Sequence, residues 1–205
     1  MKLLAATGNK HKLEEFRRIL SPLGINVISL NDIGLDANVE ETGKTFLENA
    51  EIKAMALYKL TGIPTFADDS GLCIDALGGR PGVYSARYGG ESLPHGEKIG
   101  LILKEMESIP DERRGARFTA AIFCVLGDDS AIACEGNCEG RIGYEPRGGG
   151  GFGYDPIFMV GERSFAELSG KEKDEISHRG RALREFCEKL GGSRQGLILN
   201  TNKNL

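Results

Sequence analysis

Two adjacent aspartates that follow an apolar, strand-like segment constrain the fold of this chain more than any other feature. Residues 63–67 are mostly apolar, and the Asp-Asp-Ser-Gly segment Asp68–Gly71 follows directly. Two like charges a few ångströms apart repel each other, and each costs free energy to bury, so both cannot enter a core without a cation. We therefore expect a turn at Asp68–Gly71 between two short strands, at residues 63–67 and 72–77, with one carboxylate pointing outward.

The rest of the chain alternates between strand-like and helical patterns. Apolar residues recur at helical spacing after the Gly8-Asn9 turn as far as Leu20, and again at about residues 44–60, 96–108 and 169–190. Further strands are expected at residues 2–7, 25–30, 117–126 and 131–142, the last two joined as a hairpin by residues 127–130. Thr45 with Glu48, and Ser169 with Glu172, have the spacing of a capping box. The pattern predicts an α/β fold with helices packed on a sheet.

The length of 205 residues favours a single domain over residues 1–205, with a loosely held tail after about residue 191. The chain is 40% hydrophobic and 27% charged, close to the average for globular proteins, which argues against disorder. No apolar run approaches the roughly 20 residues that span a bilayer, and the N-terminal apolar run is too short for a signal peptide. We therefore expect a cytoplasmic protein without a membrane partner. A net charge of -4 disfavours nucleic acid as a partner.

The five cysteines, an odd number, are scattered mostly through strand-like segments, so reduced thiols are expected rather than a disulfide framework. Zinc is disfavoured, because Cys124, Cys134 and Cys138 include no CxxC pair and no nearby histidine completes a tetrahedral site.

Two glycine-rich segments resemble cofactor motifs but lack the required context. Gly43-Lys44-Thr45 matches the end of a P-loop, yet Asn38 stands where that motif needs its first glycine. Gly148, Gly150 and Gly153 match the spacing of a dinucleotide-binding motif, but Tyr154-Asp155-Pro156 cannot open the helix that should follow. A nicotinamide cofactor is therefore disfavoured, and the glycine run is expected to be a loop, either over a ligand or in solvent.

A strand-to-helix turn near the N-terminus is a candidate phosphate site. At Thr7-Gly8-Asn9 the unpaired N–H groups and dipole of the next helix would point at the turn, and Lys10 and Lys12 add positive charge. The alternative is that Asn9 only caps the helix and the lysines are solvated. Sequence logic leaves both open.

The acidic residues are a candidate cation site. Mg²⁺ prefers carboxylate oxygens together with waters and substrate phosphates, and Glu40 and Glu41 could complete a cluster with Asp68 and Asp69. The alternative is an ordinary acidic turn and a glutamate favoured at a helix entry. Near the C-terminal end, Ser177-His178-Arg179 follows Lys171 and Lys173, and lysines at a helix start suggest a bound anion because they oppose the dipole.

Taken together, these segments resemble the inosine triphosphate pyrophosphatase family over nearly the whole chain. The matching segments are Thr7-Gly8-Asn9 with Lys12, Glu41-Thr42-Gly43 with Phe46, Glu48, Asn49 and Ala50, Ala67 to Leu72, Leu77-Gly78-Gly79, Pro81 to Tyr88, Gly151 to Pro156, and Ser177-His178-Arg179. Each is weak alone, but their order and combination are highly specific.

The resemblance implies a curved mixed β-sheet with flanking helices, two lobes around a deep nucleotide-binding groove, and a homodimer. It implies Mg²⁺-dependent hydrolysis of ITP, dITP and XTP to the monophosphate and pyrophosphate, which removes deaminated purines before they enter DNA and RNA. Asp69 would be the general base and a metal ligand, with Glu40 or Glu41 helping to place the metal. The residues that the resemblance assigns to the substrate are Thr7, Gly8, Asn9, Lys10, His11, Lys12, Ser70, Phe152, Gly153, Tyr154, Asp155, Lys173, His178 and Arg179.

Within that resemblance, His178 and Arg179 would read the purine, and Phe152 would supply an aromatic platform. Donors such as Arg179 suit the carbonyl at the six-position of inosine and xanthosine, whereas adenosine carries an amino group there. Two other functions stay open on the sequence: a related fold that hydrolyses modified pyrimidine triphosphates, and a nucleotide-binding module without catalysis.

Overall fold

The structure, a computed structural model, describes the backbone of residues 1–201 and the side chains of residues 1–192. It contains seven strands: β1 (Lys2–Ala5), β2 (Asn26–Ile28), β3 (Thr65–Ile74), β4 (Gly115–Gly127), β5 (Ser130–Ile142), β6 (Phe158–Val160) and β7 (Arg163–Ser164). The α-helices of this part of the chain are α1 (Lys10–Leu20), α2 (Phe46–Thr61), α3 (His95–Glu105), α4 (Gly170–Ile176) and α5 (His178–Thr201). Short 3₁₀ turns connect several of them, including Gly82–Arg87.

The strands form one mixed sheet in the order β2-β1-β3-β4-β5-β6-β7. β1 runs parallel to β2 and β3, and every pairing from β3 to β7 is antiparallel. The α/β fold with a mixed sheet and flanking helices is thereby confirmed, as is the hairpin of β4 and β5.

Helices cover opposite faces of the sheet at β3, and the alternation of side chains along that strand decides what each residue meets. Phe66 packs with Phe16 of α1 and Phe186 of α5 in one core cluster. Ala67 points the other way and packs with Leu57 and neighbouring residues of α2. Because side chains alternate along a strand, Asp68 is directed toward α1 and α5, and Asp69 toward α2.

The predicted turn at Asp68–Gly71 is wrong, because β3 continues through it as one strand of 10 residues. Asp68, Asp69 and Ser70 pair in register with Ile122, Ala121 and Ala120 of β4. The strand can keep two adjacent carboxylates because they leave on opposite faces, and each finds cationic or hydrogen-bonding partners there.

Gly71 shows how closely the next segment approaches the continuous strand. A Cβ at this position would overlap the carbonyl oxygen of Gly82 and the hydroxyl of Ser85. The Ser85 hydroxyl accepts a hydrogen bond from the Leu72 N–H at 2.9 Å and donates one to the Gly82 carbonyl at 2.6 Å. Because Gly71 has no side chain, the 3₁₀ turn can pack directly against β3.

The single helix predicted from about Ser169 to Leu190 is also wrong, because Ser177 interrupts it. Ser177 is extended, with φ -68° and ψ 157°, and separates α4 from α5. Its hydroxyl accepts a hydrogen bond from the Gly180 N–H at 3.1 Å, which caps α5. The break places His178 and Arg179 at the start of a helix. The spacing of apolar residues alone does not predict this break. The expected loose tail after about residue 191 stays a prediction, since most of its side chains lie outside the described residues.

The predicted caps are confirmed at both capping boxes, Thr45 with Glu48 and Ser169 with Glu172. All five cysteines are free, and burial raises the pKa of Cys124 to about 12 and that of Cys134 to about 11. No helix in the described part of the chain is long and apolar enough to cross a membrane.

Candidate active site

A groove of about 370 Å³ opens along one edge of β3 and collects side chains from α1, α2, β3 and the start of α5. Its lining includes most of the residues singled out from the sequence: Thr7, Gly8, Asn9, Lys12, Glu41, Asp69, Ser70, Phe152, Gly153, Tyr154, Asp155, Lys173, His178 and Arg179. Lys10, His11 and Glu40 are exposed and lie outside this lining. His11 lines a smaller adjoining depression of about 140 Å³, which shares Phe152 and Lys173 with the groove.

Asp68 is a buried structural anion that does not itself line the groove. Its carboxylate receives a two-pronged contact from Arg179, at 3.1 Å from Nε to Oδ1 and 3.1 Å from Nη2 to Oδ2. Lys12 Nζ lies 2.7 Å from Oδ2. Burial would raise the pKa of Asp68, but Arg179 and Lys12 outweigh it and hold that pKa well below its usual range. Asp68 is therefore ionised and already occupied on both oxygens.

Asp69 has a different environment although it is the next residue. Asn49 Nδ2 donates to its Oδ2 at 3.1 Å, and Lys53 Nζ lies 3.5 Å from its Oδ1. Burial, with Glu41 adding to it, raises the pKa of Asp69 above its usual value against the opposing effect of Lys53 and Lys12. A carboxylate with a raised pKa and a free lone pair in a groove is suited to accept a proton.

Lys53 and Asn49 contact Asp69, although no role was predicted for either residue: Lys53 is in none of the matching segments, and Asn49 is named there only as part of one. They lie four residues apart on the face of α2 that also carries the buried Ala50, Ala54 and Leu57. Lys53 Nζ contacts Glu41 Oε1 at 2.7 Å and donates to the Asp68 carbonyl oxygen at 3.0 Å. The available signal was a lysine and an asparagine on an otherwise apolar helix face, where each costs free energy unless it has a partner.

The lysines and arginine of the groove lining are already paired with carboxylates. Lys12 pairs with Asp68, and Lys53 pairs with Glu41 and Asp69. Lys173 and Arg179 each contact Glu15, at 3.1 and 2.6 Å, and Lys173 also contacts Asp155 at 2.6 Å. The positive charges of these side chains are therefore already neutralised by carboxylates. Binding of a polyanionic ligand requires additional positive charge.

The turn before α1 combines a cap with open N–H groups. Asn9 Oδ1 accepts hydrogen bonds from the His11 and Lys12 N–H groups at 3.0 and 3.2 Å, and Thr7 Oγ1 accepts one from Asn9 N–H at 3.1 Å. The capping role of Asn9 is confirmed. It leaves the N–H groups of Gly8 and Lys10 without a partner in the described part of the chain, at a turn that faces the groove.

The segment from Phe152 to Asp155 contacts the side chain of Lys173. Asp155 is buried and accepts from the Phe152 N–H at 2.8 Å and from Lys173 Nζ at 2.6 Å. Lys173 Nζ lies 4.6 Å from the centroid of the Phe152 ring, which also stacks on His11 with centroids 5.2 Å apart. Phe152 therefore has an ordered ring between the two depressions.

His178 carries a buried polar atom without a partner. Its ring is 3% exposed and stacks on Phe118 with centroids 4.7 Å apart. Burial, aided by the Arg179 charge, holds the pKa of His178 well below its usual value, so the ring is neutral at neutral pH. Within the described residues, its Nδ1 is the buried side-chain nitrogen or oxygen that forms no hydrogen bond. A hydrogen bond from a ligand or a water molecule would satisfy this atom.

Most N–H donors of Arg179 form hydrogen bonds within the protein, which the sequence did not predict. Its Nε and Nη2 contact Asp68, its Nη1 contacts Glu15, and Nη2 also donates to Ser70 Oγ at 2.7 Å. A guanidinium has five N–H donors, so one remains for a ligand. Ser70 is likewise occupied by Arg179 while lining the groove.

The family model and similar curated proteins point to the same family. Residues 3–189 match the model of the Ham1 family. A Bacillus licheniformis protein named dITP/XTP pyrophosphatase is 49% identical over 191 residues, covering 92% of this chain and 97% of the relative. A Shigella flexneri protein of the same name is 45% identical over 197 residues, covering 92% and 98%.

Solved structures show the same fold. A Ham1 protein from Coxiella burnetii is 42% identical with a TM-score of 0.84, and the match covers 94% of this chain and 99% of that chain. A nucleoside-triphosphatase or dITP/XTP pyrophosphatase from Mycobacterium abscessus is 44% identical with a TM-score of 0.71, covering 91% and 98%.

Proposed function

The chain belongs to the Ham1 family, and we propose that it hydrolyses ITP, dITP and XTP to the monophosphate and pyrophosphate. The relatives named dITP/XTP pyrophosphatase support this reaction. Its consequence would be the removal of deaminated purine nucleotides before they enter DNA and RNA.

The single observation that carries the proposal is the contrast between the two neighbouring aspartates. Asp68 is neutralised by Arg179 and Lys12, while Asp69 keeps a raised pKa beside Asn49. In the proposed reaction Asp69 accepts a proton from a water molecule whose oxygen bonds to the α-phosphorus. The bond from that phosphorus to the bridging oxygen breaks, and pyrophosphate leaves.

We propose Mg²⁺ as the cofactor, held by Asp69 and Glu41. Glu41 Oε1 lies 2.7 Å and Asp69 Oδ1 lies 3.5 Å from Lys53 Nζ, and this proximity of the two carboxylates to one ammonium supports a shared cation site. No group of three or more His, Cys, Asp or Glu side chains within the described residues is arranged to hold a metal. Two carboxylates fit Mg²⁺, which is usually bound by one or two carboxylates together with substrate phosphates. When bound, the ion would neutralise phosphate charge that the paired lysines leave unbalanced.

We propose that purine selectivity depends on His178 and on the one free donor of Arg179. Both lie in the groove, and His178 Nδ1 lacks a partner in the described part of the chain. A base that leaves such a buried group unpaired loses about 1–3 kcal/mol per group relative to one that satisfies it. The homodimer and the cytoplasmic location expected from the sequence stay predictions.

Lys53→Met tests the cation that the sequence analysis missed. The variant removes the ammonium that bridges Glu41, Asp69 and the Asp68 carbonyl, and we expect kcat/KM for dITP to fall by roughly 10- to 100-fold, the value of one hydrogen bond to a charged group. Initial rates of pyrophosphate release measure it. Lys59→Met, at an exposed position of the same helix, is the matched control and should keep wild-type activity. Equal rates in the two variants would remove Lys53 from the site.

A panel of nucleoside triphosphates tests the proposed function. Pyrophosphate release is measured with dITP, XTP, dATP, dGTP and modified pyrimidine triphosphates, with Mg²⁺ and after chelation. We expect preference for dITP and XTP and loss of activity without metal. Equal rates with dATP or dGTP would contradict the proposed specificity. Preference for a pyrimidine would favour the alternative enzyme, and no turnover would favour a binding module.

A further inference from the structure

His95 is a groove residue that neither the sequence motifs nor the proposed reaction uses. It is the first residue of α3 and lines the same groove as Thr7, Asn9 and Lys12 of the phosphate turn. Its imidazole is exposed to solvent. His11 of α1, which lines the adjoining depression rather than the groove, acts on it electrostatically.

His95 differs from the other basic side chains of the lining because it is exposed and has no acidic partner. Each lysine and arginine there forms a salt bridge to a carboxylate, and His178 is buried against Phe118. Among the described residues, the His95 imidazole forms neither a salt bridge nor a hydrogen bond. A phosphate can therefore engage His95 without breaking an existing ion pair.

Lys98 and His11 are the groups that act electrostatically on His95. Lys98, one turn later on α3, is buried and donates to the Ala86 carbonyl oxygen. Burial, followed by Lys98 and His11, lowers the pKa of His95 below its usual value, and no carboxylate is among the groups acting on it. In the groove without a ligand the charged form of His95 is therefore disfavoured, and a bound anion would favour that form.

We propose that His95 contacts the polyphosphate of the substrate and binds a proton when it does so, which makes polyphosphate affinity increase as the pH falls. The proposal rests on the proposed function, since it assumes that the groove binds a nucleoside triphosphate. The sign follows from linkage: a bound polyphosphate favours the charged imidazole, so the added affinity is complete at low pH and is lost as the pH rises through the titration of the bound His95.

The test is calorimetric binding of Mg²⁺–pyrophosphate, the product, to the full chain at pH 6.5 and 8.5, in pairs of buffers with different ionisation enthalpies. The buffer dependence of the heat gives the number of protons taken up. Three proteins are compared: wild type, His95→Gln, which cannot be charged, and His95→Lys, which is charged at both pH values. Because pyrophosphate itself titrates, the differences among the three proteins are the quantities that count.

We expect His95→Gln to bind about two- to fivefold more weakly than wild type at pH 6.5 and equally at pH 8.5, the range for one exposed charge pair. It should also lose the proton uptake that wild type shows. His95→Lys should bind well at both pH values without that uptake. Equal affinity and uptake in wild type and His95→Gln, or absence of Mg²⁺–pyrophosphate binding to wild type, would overturn the proposal. The proposed function is judged separately, by pyrophosphate release from dITP.

Discussion

Asp69→Asn is expected to lower kcat for dITP by about 10²- to 10⁴-fold, the usual contribution of a positioned general base. The amide keeps the size of the side chain and can still accept the hydrogen bond from Asn49, which measures 3.1 Å in the wild-type protein. It cannot accept the proton of water. Nucleotide binding should stay measurable by calorimetry, and steady-state rates with dITP and Mg²⁺ give the size of the loss.

The same substitution should stabilise the fold. Burial raises the pKa of Asp69 in the folded state, so the unfolded chain ionises this group more easily. A raised carboxyl pKa costs stability that grows as the pH rises from the unfolded value, about 3.9, through the folded value. Asp69→Asn removes that cost at neutral pH. Asp129→Asn, in the exposed turn between β4 and β5, is the control and should change neither quantity. Full activity of Asp69→Asn would refute its role as the base.

Arg179→Met is expected to destabilise the fold by about 3–5 kcal/mol, the usual cost of breaking a buried ion pair by removing one partner. Arg179 is 1% exposed and contacts both Asp68 and Glu15, so its loss leaves two buried carboxylates with fewer partners. Urea unfolding at pH 7 measures the change in the free energy of unfolding. Arg163→Met is the matched control, because its salt bridge to Glu172 at 2.9 Å is exposed and should contribute less than about 1 kcal/mol.

The difference between wild type and Arg179→Met should depend on pH in a definite direction. Arg179 is the largest cause that lowers the pKa of Asp68 against the effect of burial. A depressed carboxyl pKa contributes stability above the unfolded value, about 3.9, and that contribution is lost as the pH falls toward the folded value. The two proteins should therefore approach each other in stability below about pH 4. A difference that stays constant from pH 7 to pH 3 would mean that Arg179 acts through packing alone.

Local features were predictable from the sequence because their partners are near in the chain. The Thr45 and Glu48 capping box joins residues three apart, and the β4–β5 hairpin is set by a short polar turn. The continuity of β3 was not predictable, because it depends on pairing with β4 and on Lys12 and Arg179, which are 56 and 111 residues from Asp68. The local sequence contains two adjacent charges that repel each other, and on its own it predicts a turn at this position.

The resemblance named most of the residues that line the groove, but it did not predict how their side chains pair with one another. Arg179 was expected to read the purine, yet most of its donors serve Asp68, Glu15 and Ser70. Glu15 and Lys53 belong to no recognisable motif of their own, and they become partners of the site because α1 and α2 pack on opposite faces of β3. The sequence could not distinguish Glu40 from Glu41. The fold does so, since Glu41 lines the groove and Glu40 is exposed outside it.

The most direct test of this account is a measurement of the two aspartate pKa values. The central claim is that neighbouring carboxylates on opposite faces of β3 have opposite roles, an ionised structural anion and a proton acceptor. Carbon-13 NMR of aspartate-labelled protein, titrated by pH and assigned with Asp69→Asn, resolves both groups. We predict a pKa for Asp68 below the usual value of about 3.9 and a pKa for Asp69 above it. The reverse order, or two equal values, would contradict the division of roles.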